Sequence, residues 1–263
     1  MIYVLLPSFN EENGLTQLLP RLKTLAEQSR DAFKIVVVDD GSRDRTSEVA
    51  LSFSDRLDLK LIRFEKNRGV GEVFRSGFQF VCQDSLDPDN DMCIALDSDN
   101  TQDPDIMVAM IQKVKSGDDL VIASRFEGEG RMLGCPWHRS VYSYGISWLL
   151  RILTQLPAVK DFSTFYRAYR VRLLQKGFER YGDDLLAGRG FSMMGACLLK
   201  LANLTERISE VPCILRYDLK VGTSGNKILK SIHGYLELIA AYVKTNRYKN
   251  LPHARQPAVA LKQ

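Results

Sequence analysis

"VVDDGSRDRT", residues 37–46, is the stretch from which the fold can be read. The apolar, largely β-branched run Ile35 to Val38 suits a buried strand, and it stops at two adjacent acids, Asp39 and Asp40, before Gly41. Glycine permits the tight turn that such an ending needs. A buried strand closing in carboxylates puts charge at the carboxyl edge of a sheet, where open parallel sheets bind their ligands. The stretch therefore predicts one wall of a small-molecule site.

Working outward, strand-like runs occur at 2–6, 34–39, 59–64, 92–97 and 119–124, separated by helical patterns near 12–28, 44–54, 70–83 and 104–116. That alternation predicts an α/β fold, with parallel strands joined by crossover helices. After Arg125 the pattern changes. A glycine-rich loop leads to a helix at 138–155, a short strand at 164–169, helices at 171–180 and 191–203, a strand at 208–216 and a last helix at 226–245. We expect one domain over 1–250, with a ligand-binding half (1–125), a second half (126–250) and a tail at 251–263.

Composition narrows the class. The apolar fraction is 45 % and the net charge +4 without a Lys/Arg block, so a full core is expected and nucleic acid is not the expected partner. Five cysteines without CxxC spacing read as reduced core residues of a cytosolic protein. The opening "MIYVLLPSFNEE" lacks the apolar core of a signal peptide. The stretches 141–153 and 235–243 are shorter than the ~20 apolar residues of a spanning helix. Each suits either an amphipathic helix packed on the core or one lying in a membrane surface.

A second strand ends as the first does. In "IALDSDNTQDPD", residues 94–105, Asp97 and Asp99 are two apart and project from the same side of an extended chain. Paired carboxylates suit a hard divalent ion such as Mg²⁺ or Mn²⁺, which leaves other positions to water and substrate phosphates. Asp-rich turns also cap helices, and Asp103 before Pro104 reads as a helix start. The location beside the Asp39/Asp40 wall favours the metal.

"LLPSFNEE", "VVDDGSRDRT", "NRGVGEVFRSG", "LDSDNTQDPD", "SRF" and "DFSTFYRAYR" stand in this order, within a match that covers about residues 2–245. Together they resemble the family-two inverting glycosyltransferases of the GT-A fold, a Rossmann-like nucleotide-diphospho-sugar transferase architecture. Within that family the pattern is most similar to the polyprenyl-phosphate hexose synthases. The resemblance implies that Pro7, Phe9 (in place of the usual tyrosine) and Glu11 hold the nucleotide, and that Asp39 or Asp40 accepts an N–H of the base. It implies that Asp97 and Asp99, with Ser98 between them, form the metal-binding DxD, with Gln102 the candidate third ligand, and that Arg125 contacts the donor diphosphate. On the acceptor side, Arg139 and Ser143, four apart on a helix, match positions that grip a lipid phosphate. Arg216, Lys220 and Lys227 in "LRYDLKVGTSGNK" match a late basic motif.

These charges imply a chemistry. A divalent ion and Arg125 would stabilise a departing nucleoside diphosphate while the acceptor attacks the opposite face of the sugar. A phosphate acceptor is already ionised and needs positioning. A hydroxyl acceptor needs a base, for which Asp161 is the nominee; a structural hydrogen-bonding role fits Asp161 equally. The expectation is transfer of one hexose from a GDP-mannose or UDP-glucose type donor to a polyprenyl phosphate. The setting would be the cytosolic face of a membrane, reached through peripheral contact or an anchoring partner. The alternatives are a hydroxyl-directed transferase of the same fold and a non-catalytic nucleotide-sugar-binding module.

Overall fold

The computed structural model describes residues 1–154, 156–188, 192–219 and 234–240, with the side chains of His138 and Arg139 outside the description. Its first half follows the expected alternation: β1 (Ile2–Ser8), α1 (Glu12–Gln28), β2 (Phe33–Asp39), α2 (Thr46–Leu51), β3 (Leu59–Arg63), α3 (Val70–Asp84), β4 (Met92–Ala95), α4 (Met107–Lys115) and β5 (Leu120–Ser124). β1, β2, β4 and β5 are nearly continuous apolar runs because both faces of their sheet are covered. Alternate residues enter opposite cores. Ile2, Val4 and Leu6 pack with Leu15, Leu18, Leu19 and Leu22 of α1, whereas Tyr3 and Leu5 pack with Phe74 and Phe78 of α3.

The second half contributes β6 (Arg131–Leu133), α5 (Trp137–Thr154), β7 (Arg167–Arg170), α6 (Val171–Tyr181), α7 (Ser192–Ala202), β8 (Ile208–Pro212) and β9 (Ile214–Arg216). The main sheet has the order β3-β2-β1-β4-β7-β5-β8, in which only β7 runs against its neighbours. Because β7 is antiparallel to both β4 and β5, those two strands share a direction. Asp97 after β4 and Arg125 after β5 therefore leave the sheet at the same edge as Asp39, and β7 is entered from that edge through residues 161–166.

Three expectations change. The strand expected at 208–216 breaks at Cys213: its N–H bonds Ser124 O at 2.8 Å in the main sheet, and its carbonyl accepts from Arg131 N at 3.1 Å. Beyond that break, β9 pairs with β6 in a separate two-stranded sheet, and β6 lies in the loop expected to be irregular. The strand expected at 164–169 begins at Arg167, since the N–H groups of Ser163 and Thr164 bond the Asp161 side chain and that of Tyr166 bonds Thr164 Oγ1 rather than a strand. Asp103 does start a helix: its carboxylate accepts the Asp105 N–H at 3.2 Å ahead of the 3-10 turn Pro104–Ile106. Of the expected last helix, residues 234–240 are helical and the rest lies outside the described residues. All five cysteines are free, and Cys93, Cys197 and Cys213 are buried. Among the described residues, no helix is long and apolar enough to cross a membrane.

Candidate active site

The loop after β1 and the Asp-Asp-Gly turn after β2 are laced together. Asn10 N–H donates to Ser42 Oγ (2.8 Å), Arg43 N–H to Asn10 Oδ1 (2.9 Å), and Glu11 N–H to Thr46 Oγ1 (2.8 Å). Asn10 carries φ 55°, a left-handed conformation that asparagine tolerates. Gly41 has φ 72°, and a Cβ there would lie 2.6 Å from the Lys66 carbonyl carbon, so only glycine fits. Both acids of the turn are committed. Asp39, with no exposed surface, accepts from Ser42 N–H at 2.8 Å and from the Ser47 hydroxyl. Asp40 accepts from the N–H groups of Arg68 (2.6 Å) and Gly69 (3.0 Å), fixing the entry to α3. Burial raises the Asp40 carboxyl above its ordinary value, against the pull of those two bonds. Phe9 stands at the same edge, half-exposed.

The Asp97–Asp99 loop sits directly on the amino end of α1. A Cβ at Gly14 would lie 2.2 Å from Ser98 O and 2.9 Å from both Asp99 Cα and a Glu11 carboxylate oxygen. Ser98 is buried between Ser8 Oγ (2.8 Å) and Pro7 O (3.0 Å), so it fastens the loop to β1. Asn100, at φ 59°, is held by Gln17 (3.0 Å) and Arg21 (3.4 Å) of α1. Thr101 fixes one Asp99 oxygen through its N–H (3.1 Å) and hydroxyl (2.6 Å).

Gln102, the candidate third ligand, is tied to Asp97. Its Oε1 accepts the Asp97 N–H at 2.9 Å and its Nε2 donates to Asp97 Oδ2 at 3.0 Å. An amide used on both ends by Asp97 holds that carboxylate in place. No group of three His, Cys, Asp or Glu side chains suited to a metal occurs among the described residues. Two hard carboxylates, each oriented by a neighbour, nonetheless fit an ion such as Mg²⁺ or Mn²⁺ that completes its shell with water and substrate oxygens.

The third wall is an ion pair. Arg125 donates from Nε and Nη2 to the two oxygens of Asp161, both at 2.7 Å, and from its backbone N–H to Asp161 at 3.2 Å. Asp161 also receives the N–H groups of Ser163 and Thr164, each at 3.1 Å, and its side chain has no exposed surface. Burial pushes the Asp161 carboxyl up, but the charge and hydrogen bonds of Arg125 outweigh it, and the net shift is downward. The guanidinium is likewise shifted upward by Asp161 against its own burial, so both members stay ionised. A carboxylate so enclosed cannot approach an acceptor hydroxyl. The expected role of Asp161 as a base gives way to that of holding Arg125.

Sequence reading missed the residues that support this pair. Glu210 of β8 accepts the N–H groups of Lys160 (2.7 Å) and Asp161 (2.9 Å), and Ser163 Oγ lies 2.5 Å from Arg125 Nη2. A charged residue inside the strand "ISEVP" was the available signal for Glu210. Arg167, fully buried, donates to the carbonyls of Phe162 (2.9 Å) and Met194 (2.8 Å) and anchors the 161–166 loop to α7.

The acceptor candidates divide. Ser143 is half-buried on α5, and Arg139 is on the same helix. Arg216 reaches the Asp97–Asp99 loop through its backbone, donating to Thr101 O at 2.8 Å, while its guanidinium pairs with Asp218 at 2.8 Å. Lys220 and Lys227 lie outside the described residues.

Residues 3–178 match the model of glycosyl transferase family 2. A dolichol-phosphate mannosyltransferase of Pyrococcus furiosus is 30 % identical over 246 residues, covering 92 % of this chain and 64 % of that protein. This chain thus spans less than two thirds of that relative's length. An undecaprenyl-phosphate mannosyltransferase of Micrococcus luteus is 27 % identical over 212 residues, 80 % of this chain and 82 % of its own. Among solved structures, glucosyl-3-phosphoglycerate synthase from Mycobacterium tuberculosis in complex with Mn²⁺ and UDP-glucose superposes with TM-score 0.63 at 17 % identity. That match covers 92 % of this chain and 78 % of the other. The structural likeness establishes the GT-A α/β fold.

Proposed function

The chain belongs to glycosyl transferase family 2, and from that premise we propose that it transfers one hexose from a nucleotide-diphosphate sugar to a polyprenyl phosphate with inversion. The observation that carries this reading is that the Asp97–Asp99 carboxylates and the largely enclosed, permanently charged Arg125 leave the sheet at one edge. The relatives named for transfer to dolichol phosphate and undecaprenyl phosphate support the acceptor class.

In this reading the nucleotide lies along the Pro7–Glu11 loop and the Asp39–Asp40 turn, with Phe9 against the base. Asp97 and Asp99 would hold Mg²⁺ or Mn²⁺, which when bound neutralises charge on the diphosphate. Gln102 and Thr101 keep those carboxylates aimed. Arg125 presents its charge to the leaving diphosphate, and Asp161 fixes the guanidinium so that little reorganisation accompanies bond breaking. The acceptor phosphate is ionised at neutral pH and attacks the anomeric carbon from the opposite face. Arg139, Ser143, Arg216, Lys220 and Lys227 are the candidates to position it.

A hydroxyl acceptor fits less well, because Asp161 is enclosed by donors and Glu210 is bound to backbone. The acceptor lipid requires work at a membrane surface, on the cytosolic side where sugar nucleotides are held. The test is to incubate the chain with Mg²⁺ or Mn²⁺, a panel of labelled sugar nucleotides and polyprenyl phosphate. Label should move into the organic phase with one donor. Label that stays in water with every donor would overturn the reading.

A further inference from the structure

Arg167 is fully buried, yet no carboxylate stands beside it. Other enclosed arginines have one: Arg125 pairs with Asp161 at 2.7 Å and Arg170 with Asp119 at 2.9 Å. Arg167 donates only to the carbonyls of Phe162 and Met194, and its Nε has no partner among the described residues. Every Asp and Glu of the chain lies within the described residues, so no acidic side chain outside them completes a pair. A buried charge without a contact partner destabilises a fold more than an apolar side chain of similar volume would.

The register of the sheet supplies a reason for that charge. Arg167 of β7 and Glu210 of β8 both pair with Ile122 of β5, so the three form one row and point to the same face, with the two charged residues about 10 Å apart at the backbone. Arg167 is also level with Ala95, two residues before Asp97, and Ile122 is three before Arg125; these are steps of about 7 and 10 Å along the strands. The two charges grip one loop from opposite sides. Glu210 accepts the N–H groups of Lys160 and Asp161, and Arg167 donates to the next carbonyl, that of Phe162. Asp161 is matched by contact with Arg125, whereas Glu210 meets backbone; burial raises its carboxyl, with the Asp161 charge acting in the same direction. With Arg125, Asp161 and Glu210 alone, this wall would turn one net negative charge toward a diphosphate. Arg167 returns it to neutral.

We propose that Arg167 is a positioning residue that acts as the counter-charge of Glu210 across Ile122, so that the wall carrying Arg125 does not repel an anionic ligand. That the ligand is the donor diphosphate rests on the functional reading above.

Calorimetric titration of the full chain with Mn²⁺ and GDP or UDP should show Arg167→Gln binding the nucleotide about tenfold more weakly, the effect of one charge at roughly 10 Å inside a protein. Arg167→Lys, which keeps the charge, should stay within about threefold of the native affinity. Adding Glu210→Gln to Arg167→Gln should restore binding, because the wall is neutral again. An anchor that works only through its two carbonyl bonds would respond alike to Gln and Lys and would not be rescued at Glu210; that pattern would overturn the proposal. A second measurement needs no ligand. In urea, Arg167→Gln should cost less stability in the Glu210→Gln background than in the native one, and equal losses would show that the two charges are not coupled. A chain that unfolds with Arg167→Gln and folds again once Glu210→Gln is added obeys the same balance, and one that stays unfolded overturns it. Coupling in urea with no nucleotide bound by any variant, the native chain included, would overturn the functional reading and leave Arg167 as the counter-charge.

Discussion

Asp161 shows how one residue can be chemically suggestive and sterically excluded. Its carboxylate is surrounded by Arg125, Ser163 and Thr164 and has no exposed surface. Asp161→Asn would leave a guanidinium that is only 11 % exposed without its counter-charge, and loss of one partner of a buried pair costs about 3–5 kcal/mol. Urea denaturation should show that loss, whereas Arg125→Met with Asp161→Leu should recover much of the stability and, lacking the guanidinium, abolish transfer. An Asp161→Asn chain of full stability would refute the enclosure. Gln102 makes the companion case. Because its amide orients Asp97 from both ends, Gln102→Leu should weaken Mn²⁺ binding about 10–100-fold, the usual effect of removing a partner that aims a metal ligand. Titration followed by electron paramagnetic resonance measures this directly, and unchanged affinity would mean that Asp97 holds itself.

At the scale of elements, the candidate site depends on how closely α1 approaches the Asp97–Asp99 loop. Gly14 makes that approach possible, since a Cβ would stand 2.2 Å from the Ser98 carbonyl oxygen. Gly14→Ala should cost about 1–3 kcal/mol through overpacking. It should also lower kcat/KM at least about tenfold, because the loop it displaces carries both carboxylates. Steady-state kinetics beside a melting curve separate the two effects, and normal turnover in a destabilised chain would detach α1 from the site. The same elements show how much the residues alone reveal. β1, β2, β4 and β5 were legible because their apolar runs are long and end in charge or in a turn. β6 and β9 were not, since each has three residues and no pattern of its own, and their pairing depends on a turn at Cys213. The carboxylates could be found from spacing. The groups that support the site could not: Gln102 meets Asp97 only through the turn of their shared loop, and Ser163 and Glu210 reach the Arg125–Asp161 pair only when β7 and β8 are threaded beside β4 and β5.

For the whole molecule, the site edge contributes to the dependence of stability on pH through carboxyls shifted in opposite directions. Asp161 is held below its ordinary value, so its contribution is complete above the unfolded carboxyl range of about 4 and is lost as pH falls through its lower folded value. Asp40 and Glu210 are raised by burial, which outweighs the hydrogen bonds they accept. Their contributions are complete below about 4 and are lost as pH rises through their higher folded values. From these three groups, stability should rise with pH up to about 4 and fall as pH then passes through the folded values of Asp40 and Glu210. Glu210→Gln isolates the second limb. An amide oxygen in place of Glu210 Oε1 can still accept the Lys160 and Asp161 N–H groups without carrying a buried charge near the Asp161 carboxylate. Relative to the native chain, the variant should gain stability at pH 7 and lose that advantage at pH 4. Melting midpoints at the two values decide it: an advantage of equal size at both would show that the ionisation of Glu210 carries no penalty, and that the edge tolerates its negative charges without mutual opposition.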